Sequence, residues 1–355
     1  MAAVQTILVA YPALERFARE AASAMGVRPA QAETYVDVLL QGSLRSLPGQ
    51  GQGVQQLPTY WDRIQRGVID PAADPEVVRR EGATATIDAR RALGSVAAAQ
   101  AMQLALELAR DNGIGTVGVR DSTHFGIAAY YAMLALPHDC IGIVFSNAGP
   151  EIAPWGGTRA TVGTNPWAVA VPAGRELPVV LDMANSTSGK GMIGWHLKQG
   201  RTIPSDWALA EDGSRTEDAA AGMAGTLFPL GGAKGYAMAV VVDALTGVLT
   251  GSAFGLSAFG VEQQNVGHLM IAIDVARFDS VGSFKQRMDA LIGELRSSPR
   301  ADGVERIYAP GELEYLRERE RRQDGVPIEL ERLEALRQLA LELRIDVDLG
   351  SAAAA

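Results

Sequence analysis

The chain has 355 residues, of which 47% are apolar and 21% charged, and its formal net charge is −9. This composition is typical of a globular protein with more than one core, and the acidic balance argues against a nucleic-acid-binding surface. The single cysteine, Cys140, excludes an intramolecular disulfide, and the first ten residues lack the basic start of a secretory signal. We therefore expect a cytoplasmic protein that neither binds nucleic acid nor enters a membrane.

Both ends of the chain have helical patterns. Apolar residues recur at helical spacing in residues 14–25, and a second helix begins at Pro29. Residues 42–53 are rich in Gly, Ser, Pro and Gln, which predicts an exposed loop or turn. Near the other end, helices are predicted on both sides of a break at residues 325–327. We expect the two helical ends to pack together.

The middle of the chain alternates between strand and helix patterns, which indicates an α/β fold. Short apolar runs predict strands at residues 84–88, 114–119, 141–145, 168–171, 179–181 and 269–273. Helices are predicted at residues 95–111, from His124 onward, after Lys234 and through Met288. This order predicts a discontinuous, helix-rich lobe made of residues 1–120 plus 265–355, around a central lobe at residues 121–264.

Familiar catalytic and nucleotide-binding motifs are missing from the sequence. Gly49, Gly51 and Gly53 form only a GxGxG string that does not stand between a strand and a helix, so they are not a dinucleotide fingerprint. There is no P-loop, no HExxH and no GxSxG. His, Asp and Glu residues do not cluster with metal-ligand spacing, so we expect no metal site.

Eight short motifs follow one another along the chain. They are Ser-Thr-His-Phe-Gly (122–126), Ala-Pro-Trp-Gly-Gly (153–157), Gly-Thr-Asn-Pro (163–166), Leu-Asp-Met-Ala-Asn-Ser (181–186), Ile-Pro-Ser-Asp-Trp-Ala-Leu (203–209), Pro-Leu-Gly-Gly-Ala-Lys-Gly-Tyr (229–236), Gly-His (267–268) and Pro-Gly-Glu (310–312). In this order they resemble the malate/L-lactate dehydrogenase family of the non-Rossmann type, over about residues 10–345. That family also includes ureidoglycolate and sulfolactate dehydrogenases and cyclic imino-acid reductases.

The resemblance implies that a mixed-sheet lobe at residues 121–264 binds NAD or NADP, and that the protein is a homodimer. The residues it implies for cofactor binding are Gly163, Thr164, Asn165, Asp182, Met183, Ala184, Asn185, Ser186, Lys234, Gly235, Gly311 and Glu312. Their chemistry is suitable, because glycines let backbone N–H groups approach phosphates and Lys234 adds positive charge at a helix start. Asp182 can bond a ribose hydroxyl, or it can simply cap the next segment. The sequence leaves the choice between NAD and NADP open.

For His124 the resemblance implies the proton donor and acceptor that works opposite the hydride. Hydride addition to C=O makes an alkoxide, and an imidazolium near neutral pH can protonate it. The alternative is a buried, hydrogen-bonded structural histidine. His268 fits a structural role as well as a site role, whereas His138 and His196 match no motif and are expected at the surface.

One segment departs from the family pattern. The family carries Ser-His-Gly near the end of its second helix, with an arginine four positions after the histidine. Residues 48–60 of this chain instead read Pro-Gly-Gln-Gly-Gln-Gly-Val-Gln-Gln-Leu-Pro-Thr-Tyr. Counting back from the Leu-Pro-Thr-Tyr end places Gln52 at the histidine and Gln56 at the arginine. Counting forward from Pro48 places Gln50 at the histidine, with two residues inserted. Both functional groups are lost in either register.

Glutamine neither transfers a proton nor forms the charged bidentate pair that arginine makes with a carboxylate. We therefore expect a substrate other than malate or lactate, in a pocket that includes Gln52, Gln56 and Arg45. Arg45, Arg120 or Arg159 could supply the missing cation. Besides reduction of a 2-oxo acid-like substrate, the sequence leaves open reduction of a cyclic C=N bond. A third possibility is a nucleotide-binding scaffold without catalysis.

Overall fold

The computed structural model describes residues 5–47, 49–258 and 264–350. The strands are β1 Thr6–Val9, β2 Glu76–Glu81, β3 Thr84–Asp88, β4 Ile114–Ser122, β5 Cys140–Ser146, β6 Pro150–Ile152, β7 Val162–Gly163, β8 Trp167–Val171, β9 Val179–Met183, β10 Ala208–Leu209, β11 Thr226–Leu227, β12 Val266–Asp274 and β13 Val326–Glu329. The helices are α1 Tyr11–Ala24, α2 Pro29–Arg45, α3 Leu57–Gln65, α4 Gly94–Asn112, α5 Ala128–Met133, α6 Lys190–Lys198, α7 Ala219–Ala224, α8 Ala233–Asp243, α9 Val281–Ser297, α10 Glu312–Asp324 and α11 Leu330–Leu343.

A mixed seven-stranded sheet organises the fold. Its order is β2-β3-β4-β12-β5-β8-β9, and only β3 and β4 run parallel. Helices α4 and α5 pack on this sheet around a core of small and aliphatic residues. Glycines permit the close approach, because a Cβ on Gly115 would lie 1.9 Å from the Ala105 carbonyl oxygen and one on Gly142 would lie 2.2 Å from that of Ala132. The alanine-rich sequence of α4 therefore serves tight helix-to-sheet packing.

Strand β12 lies at the centre of the sheet, between β4 and β5. Met270 pairs with Val117 on one side and with Val144 on the other, and all three side chains are fully buried. The lobe boundaries expected at residues 120/121 and 264/265 do not separate two sheets. Strand β4 spans the first boundary, and β12 joins β4 to β5.

The two chain ends form a second core, in which Phe17, Leu40 and Leu336 are buried together. They are also joined by a strand pair that the sequence pattern missed. The predicted break at residues 325–327 is largely strand β13, which pairs antiparallel with β1. A two-residue-period pattern is hard to recognise in four residues that include a proline, which explains the error.

A smaller core supports a four-stranded sheet of order β10-β11-β6-β7, with α6 and α7 beside it.

Two other predictions need correction. The segment 42–53 is only in part an exposed loop or turn: α2 runs to Arg45, and Gly42 and Gly53 are buried where they pack against each other. The helix expected from His124 begins only at Ala128. Within the described ranges, no helix has the length and apolar character needed to cross a membrane.

Candidate active site

His124 lies in a short loop that begins where the central strand β4 ends. The hydroxyl of the preceding Thr123 donates to the Ala92 carbonyl at 3.0 Å and accepts the Gly94 N–H at 2.9 Å. Gly126 turns the chain with a φ of +86°, which a side chain would strain. The His124 N–H donates to Oε1 of Gln264 at 3.2 Å. The loop backbone therefore fixes where the imidazole sits.

The imidazole of His124 is half-buried and bonded on one side only. Its Nδ1 lies 2.7 Å from the Tyr60 hydroxyl on α3, and Nε2 makes no hydrogen bond to a described residue. Burial, helped by the charge of Arg63, lowers the pKa of His124 to about 4. The ring is therefore neutral at pH 7, which corrects the expectation of an imidazolium near neutral pH.

His268 is fully buried in β12 and has both ring nitrogens bonded. Nδ1 lies 2.9 Å from the Ser146 hydroxyl on β5, and Nε2 lies 2.8 Å from the Ser122 hydroxyl on β4. Its ring stacks on Phe125 with centroids 4.6 Å apart. Burial, together with nearby His124, lowers the pKa of His268 to about 3. The geometry is that of a neutral structural histidine behind the His124 loop.

Three of the predicted cofactor segments lie side by side. The Asn185 N–H donates to the Thr164 carbonyl at 2.8 Å, and the Asn185 side-chain amide donates to the Asn165 carbonyl at 2.6 Å. The Leu230 N–H donates to the Asn185 carbonyl at 2.9 Å. A Cβ on Gly235 would lie 2.7 Å from the same carbonyl oxygen, so the start of α8 packs on this segment. The sequence motifs near residues 164, 185 and 235 thus form one region.

The fourth predicted segment reaches the same region through β9. The Val180 N–H donates to the Pro310 carbonyl at 3.0 Å, and Gly311 packs against Val180. The buried carboxylate of Glu312 accepts from Arg296 at 3.0 Å, from the Ala309 N–H at 3.1 Å and from Arg306. Glu312 therefore holds this turn in place, and it is the turn that faces β9.

Asp182 links the cofactor segments to the His124 loop. It lies near the end of β9, and its Oδ2 accepts the Ala129 N–H at 2.9 Å, in the first turn of α5. The side chain is open to solvent, but the surrounding protein raises the pKa of Asp182 to about 6. Its second oxygen makes no hydrogen bond to a described residue. The sequence left open a cap on the next segment, but the observed bond goes to α5, which precedes Asp182 in the chain.

The region fits a dinucleotide. Lys234 is exposed in the first turn of α8 and forms no ion pair within the described residues, so its charge is available for a phosphate. The Ser186 hydroxyl is buried without a hydrogen-bond partner in the same part of the chain, and a ligand group could satisfy it. Met183 and Ala184 are half-buried between these polar groups.

The glutamine segment leads directly into the helix that carries Tyr60. Gln56 stands immediately before α3, one helical turn from Tyr60, and its amide donates to the Gly51 carbonyl. Oε1 of Gln52 is buried without a hydrogen-bond partner. Gln50 is exposed, and its Oε1 accepts the Leu47 N–H at 2.8 Å. Pro48, which anchors the forward count, lies outside the described residues.

Of the three arginines considered as substitutes, Arg45 is the one with a buried free donor. It is 4% exposed, pairs with Glu318 at 2.9 Å and lies 4.4 Å from the centre of the Tyr315 ring, while its Nη2 makes no hydrogen bond. Its charge opposes the rise in the pKa of Asp182. Arg120 is held by Asp88, and Arg159 is exposed.

No sequence pattern identifies Tyr60, Ser122 and Ser146 as partners of the two histidines. Tyr60 lies one helical turn after Gln56, in the segment that departs from the family pattern. No periodicity in the sequence predicts that it contacts residue 124. Such contacts join residues 64 to 146 positions apart, and short-range patterns do not encode them.

Comparison with known proteins gives a consistent picture. A family model described as malate/L-lactate dehydrogenase matches residues 9–337. The L-sulfolactate dehydrogenase of Methanothermobacter thermautotrophicus is 35% identical over 335 residues, which cover 93% of this chain and 96% of that enzyme. Malate dehydrogenase from Entamoeba histolytica has a TM-score of 0.91 and 30% identity, covering 97% of this chain and 99% of that one. The Δ1-piperideine-2-carboxylate reductase of Pseudomonas syringae has a TM-score of 0.82 and 27% identity, covering 94% and 100%.

Fold and site together place the chain among the NAD(P)-dependent oxidoreductases. It belongs to the malate/L-lactate dehydrogenase family, as the eight motifs indicated. The α/β class with mixed sheets is confirmed as well. Relatives include enzymes named for NAD and others named for NADP, so the family itself accommodates both cofactors.

The buried histidines predict how stability depends on pH. The pKa of His268 is about 3 in the folded protein, below ~6.5 in an unfolded chain, so the unfolded state binds more protons in acid. His124 acts in the same direction. Stability should therefore fall as the pH drops below 6.5, and His268 alone should remove about 1–2 kcal/mol between pH 6.5 and 5.

Urea unfolding at pH 7, 6 and 5 measures this effect. His268→Gln should be less stable at pH 7, because two buried serines lose a partner, but its stability should vary less with pH. The exposed His138→Gln should retain the wild-type dependence. An unchanged slope in the His268 variant would contradict the assignment.

Proposed function

We propose that this protein transfers hydride between NAD(P) and a 2-oxo or 2-hydroxy acid-like substrate, with His124 as the acid–base group at the substrate oxygen. The observation that supports this most directly is the open Nε2 of His124. The opposite nitrogen is held by Tyr60, and the His124 loop is joined to the converging cofactor segments by the Asp182–Ala129 bond.

The cofactor would be held by groups from four segments. Lys234 and the N-terminus of α8 would bind phosphate, Asp182 would accept from a ribose hydroxyl, and the Gly311 turn would line the same groove. Bound NAD(P) supplies hydride donor or acceptor chemistry. The protein's own residues orient the substrate carbon, exclude water and place a proton donor at the substrate oxygen.

The substrate pocket would be unusual for the family. Gln52 and Gln56 would provide neutral hydrogen bonds where the family pattern has a histidine and an arginine, and Arg45 is a buried cation with a free donor. We therefore propose a substrate that is larger than pyruvate, or that carries an amide or uncharged group where malate carries a carboxylate.

Reduction of a cyclic imine is the second candidate. The low pKa of His124 favours it, because a neutral imidazole is a weak acid and an imine can arrive already protonated. The solved Δ1-piperideine-2-carboxylate reductase shares this fold. Both candidates require the same cofactor site. They differ in the bond that accepts hydride, which is C=O in the first and C=N in the second.

His124→Ala tests the catalytic proposal. Turnover should fall by at least about 10²-fold, since a positioned acid–base group contributes that much, whereas the Kd for NADH or NADPH should stay within about threefold. The better cofactor is chosen by thermal shift. Rates are then measured with oxaloacetate, pyruvate, Δ1-piperideine-2-carboxylate and Δ1-pyrroline-2-carboxylate.

His138→Ala is the matched control, because His138 is exposed. A His124 variant with the wild-type rate would refute the role of His124. Cofactor binding by the wild-type protein without turnover of these compounds or of larger and amide-bearing 2-oxo acids would favour a scaffold. Faster reduction of the cyclic imines than of the oxo acids would favour the second candidate.

Gln56→Arg tests the unusual pocket. An arginine there should raise kcat/KM for oxaloacetate or pyruvate roughly tenfold, because a charge-assisted bond is worth about 1–2 kcal/mol more than a neutral one. The neighbouring Gln55→Arg is the control, since Gln55 is also half-buried and bonds a loop carbonyl. Equal rates in the two variants would contradict the placement of Gln56 in the substrate pocket.

We also propose that the protein is a cytoplasmic homodimer that pairs through α8. This helix and the π-helical turn that follows it expose apolar side chains, including Val241, Val248 and Leu249 at 51%, 61% and 66% exposure. Phe254 and Leu256 continue the patch. A patch of this kind on one helix marks an interaction surface, and a second copy supplies a matching apolar face.

Light scattering after gel filtration tests the dimer. The wild-type protein should have twice the 37.5 kDa mass of one chain. The double variant Val248→Glu and Leu249→Glu should shift toward that single-chain mass, because charges would be buried in the interface. Leu341→Glu, on α11 and 72% exposed, should not change the mass. A double variant with an unchanged mass would exclude this face.

A further inference from the structure

The hydroxyl of Tyr60 has one hydrogen-bond partner in the described structure, and that partner is Nδ1 of His124 at 2.7 Å. The Tyr60 ring is 4% exposed and stands edge-on to Tyr35, with centroids 5.8 Å apart. A buried hydroxyl must donate its proton if it can, and the unprotonated Nδ1 is the acceptor that the structure offers. His124 is then the tautomer with its hydrogen on Nε2.

This tautomer points an N–H at the open side of the ring, where a carbonyl oxygen can accept it. A neutral imidazole that gave up only this proton would become an imidazolate. That anion would be unfavourable in a half-buried site, because it would lack full solvation. A proton must therefore reach Nδ1 at the same time. Tyr60 is the group in place to provide it.

We propose that Tyr60 is a positioning residue that fixes the tautomer of His124 and passes its phenolic proton to Nδ1 when Nε2 protonates the substrate. This inference rests on the role proposed for His124. It also indicates that the resting enzyme is prepared to bind the oxidised substrate, since Nε2 is a donor rather than an acceptor.

The transfer balances in protons and charge. The substrate carbon gains hydride, the C=O π pair becomes an oxygen lone pair, and that oxygen takes the Nε2 proton. Nδ1 takes the Tyr60 proton, so the imidazole stays neutral and the negative charge resides on the phenolate. After product release, Nε2 gains a proton from solvent and Nδ1 returns its own to Tyr60.

The charges around Tyr60 bear on this transfer. Burial raises the pKa of the Tyr60 phenol, and the charge of Arg63, three residues later on α3, offsets part of that rise. The other titratable neighbour of His124 is His268, which is neutral and bonded on both nitrogens. A transient phenolate at Tyr60 would therefore face a cation and no competing anion among these groups.

Tyr60→Phe tests the proposal, with Tyr35→Phe as its control. Tyr35 is an adjacent buried tyrosine whose hydroxyl makes no hydrogen bond, so its loss removes the same atom without touching His124. The ¹⁵N resonances of labelled histidine report the tautomer without any substrate, and a His124→Asn sample assigns the His124 signals. Thermal unfolding confirms that each variant is folded.

We expect the Nε2–H tautomer at His124 in the wild-type protein and in Tyr35→Phe, and a mixture of tautomers in Tyr60→Phe. With oxaloacetate or Δ1-piperideine-2-carboxylate, whichever is reduced faster, kcat of Tyr60→Phe should fall by about 10- to 100-fold. KM should change less than about threefold, because the Tyr60 ring is buried and its hydroxyl is bonded to His124.

The outcomes separate this inference from the proposed function. A wild-type protein with hydrogen on Nδ1, or equal kcat values for the two tyrosine variants, would overturn the role of Tyr60. If His124→Asn is inactive while Tyr60→Phe is fully active, the transfer from Tyr60 is wrong and the role of His124 stands. If His124→Asn is fully active, both fail.

Discussion

The rest of the structure depends on how strand β12 is held between β4 and β5. These strands come from distant parts of the chain. One buried imidazole on β12 forms hydrogen bonds to both of its neighbours. His268 bonds Ser122 on one neighbour and Ser146 on the other. A buried polar group is tolerated only when it is satisfied, so this pairing favours one register of three strands over its alternatives. The end of β4, and with it the His124 loop, is positioned as a result.

The cofactor segments depend on a second constraint, at the edge strand β9. The Gly311 turn packs on Val180 near its start, and Asp182 near its end accepts a hydrogen bond from the first turn of α5. The polar loops near Thr164, Asn185 and Leu230 are joined by backbone bonds rather than by long side chains. Backbone bonds leave little conformational freedom, so the relative positions of these segments do not depend on a ligand. The His124 loop and the predicted cofactor segments therefore share one rigid support.

Local patterns predicted much of the fold. The alanine-rich α4, the apolar strands and the helices at both ends show strong periodicity or clear punctuation, and the structure has them within a few residues. Sequence patterns did not predict elements that are very short, or segments whose polarity does not match their burial. Strand β13 contains a proline, β2 is exposed along its whole length, and the glycine-rich segment after α2 is buried by close backbone contacts.

The sequence alone determined the family and the residues available for chemistry, because motif identity and order are properties of the chain itself. It also predicts that glutamines, Gln52 or Gln50 and Gln56, stand where the family pattern has a histidine and an arginine. Only the tertiary structure decided what surrounds each group. It made His268 structural, assigned the Asp182 cap to α5, and placed Tyr60 on His124. Protonation depends on burial and on partners distant in sequence, and only folding brings these together.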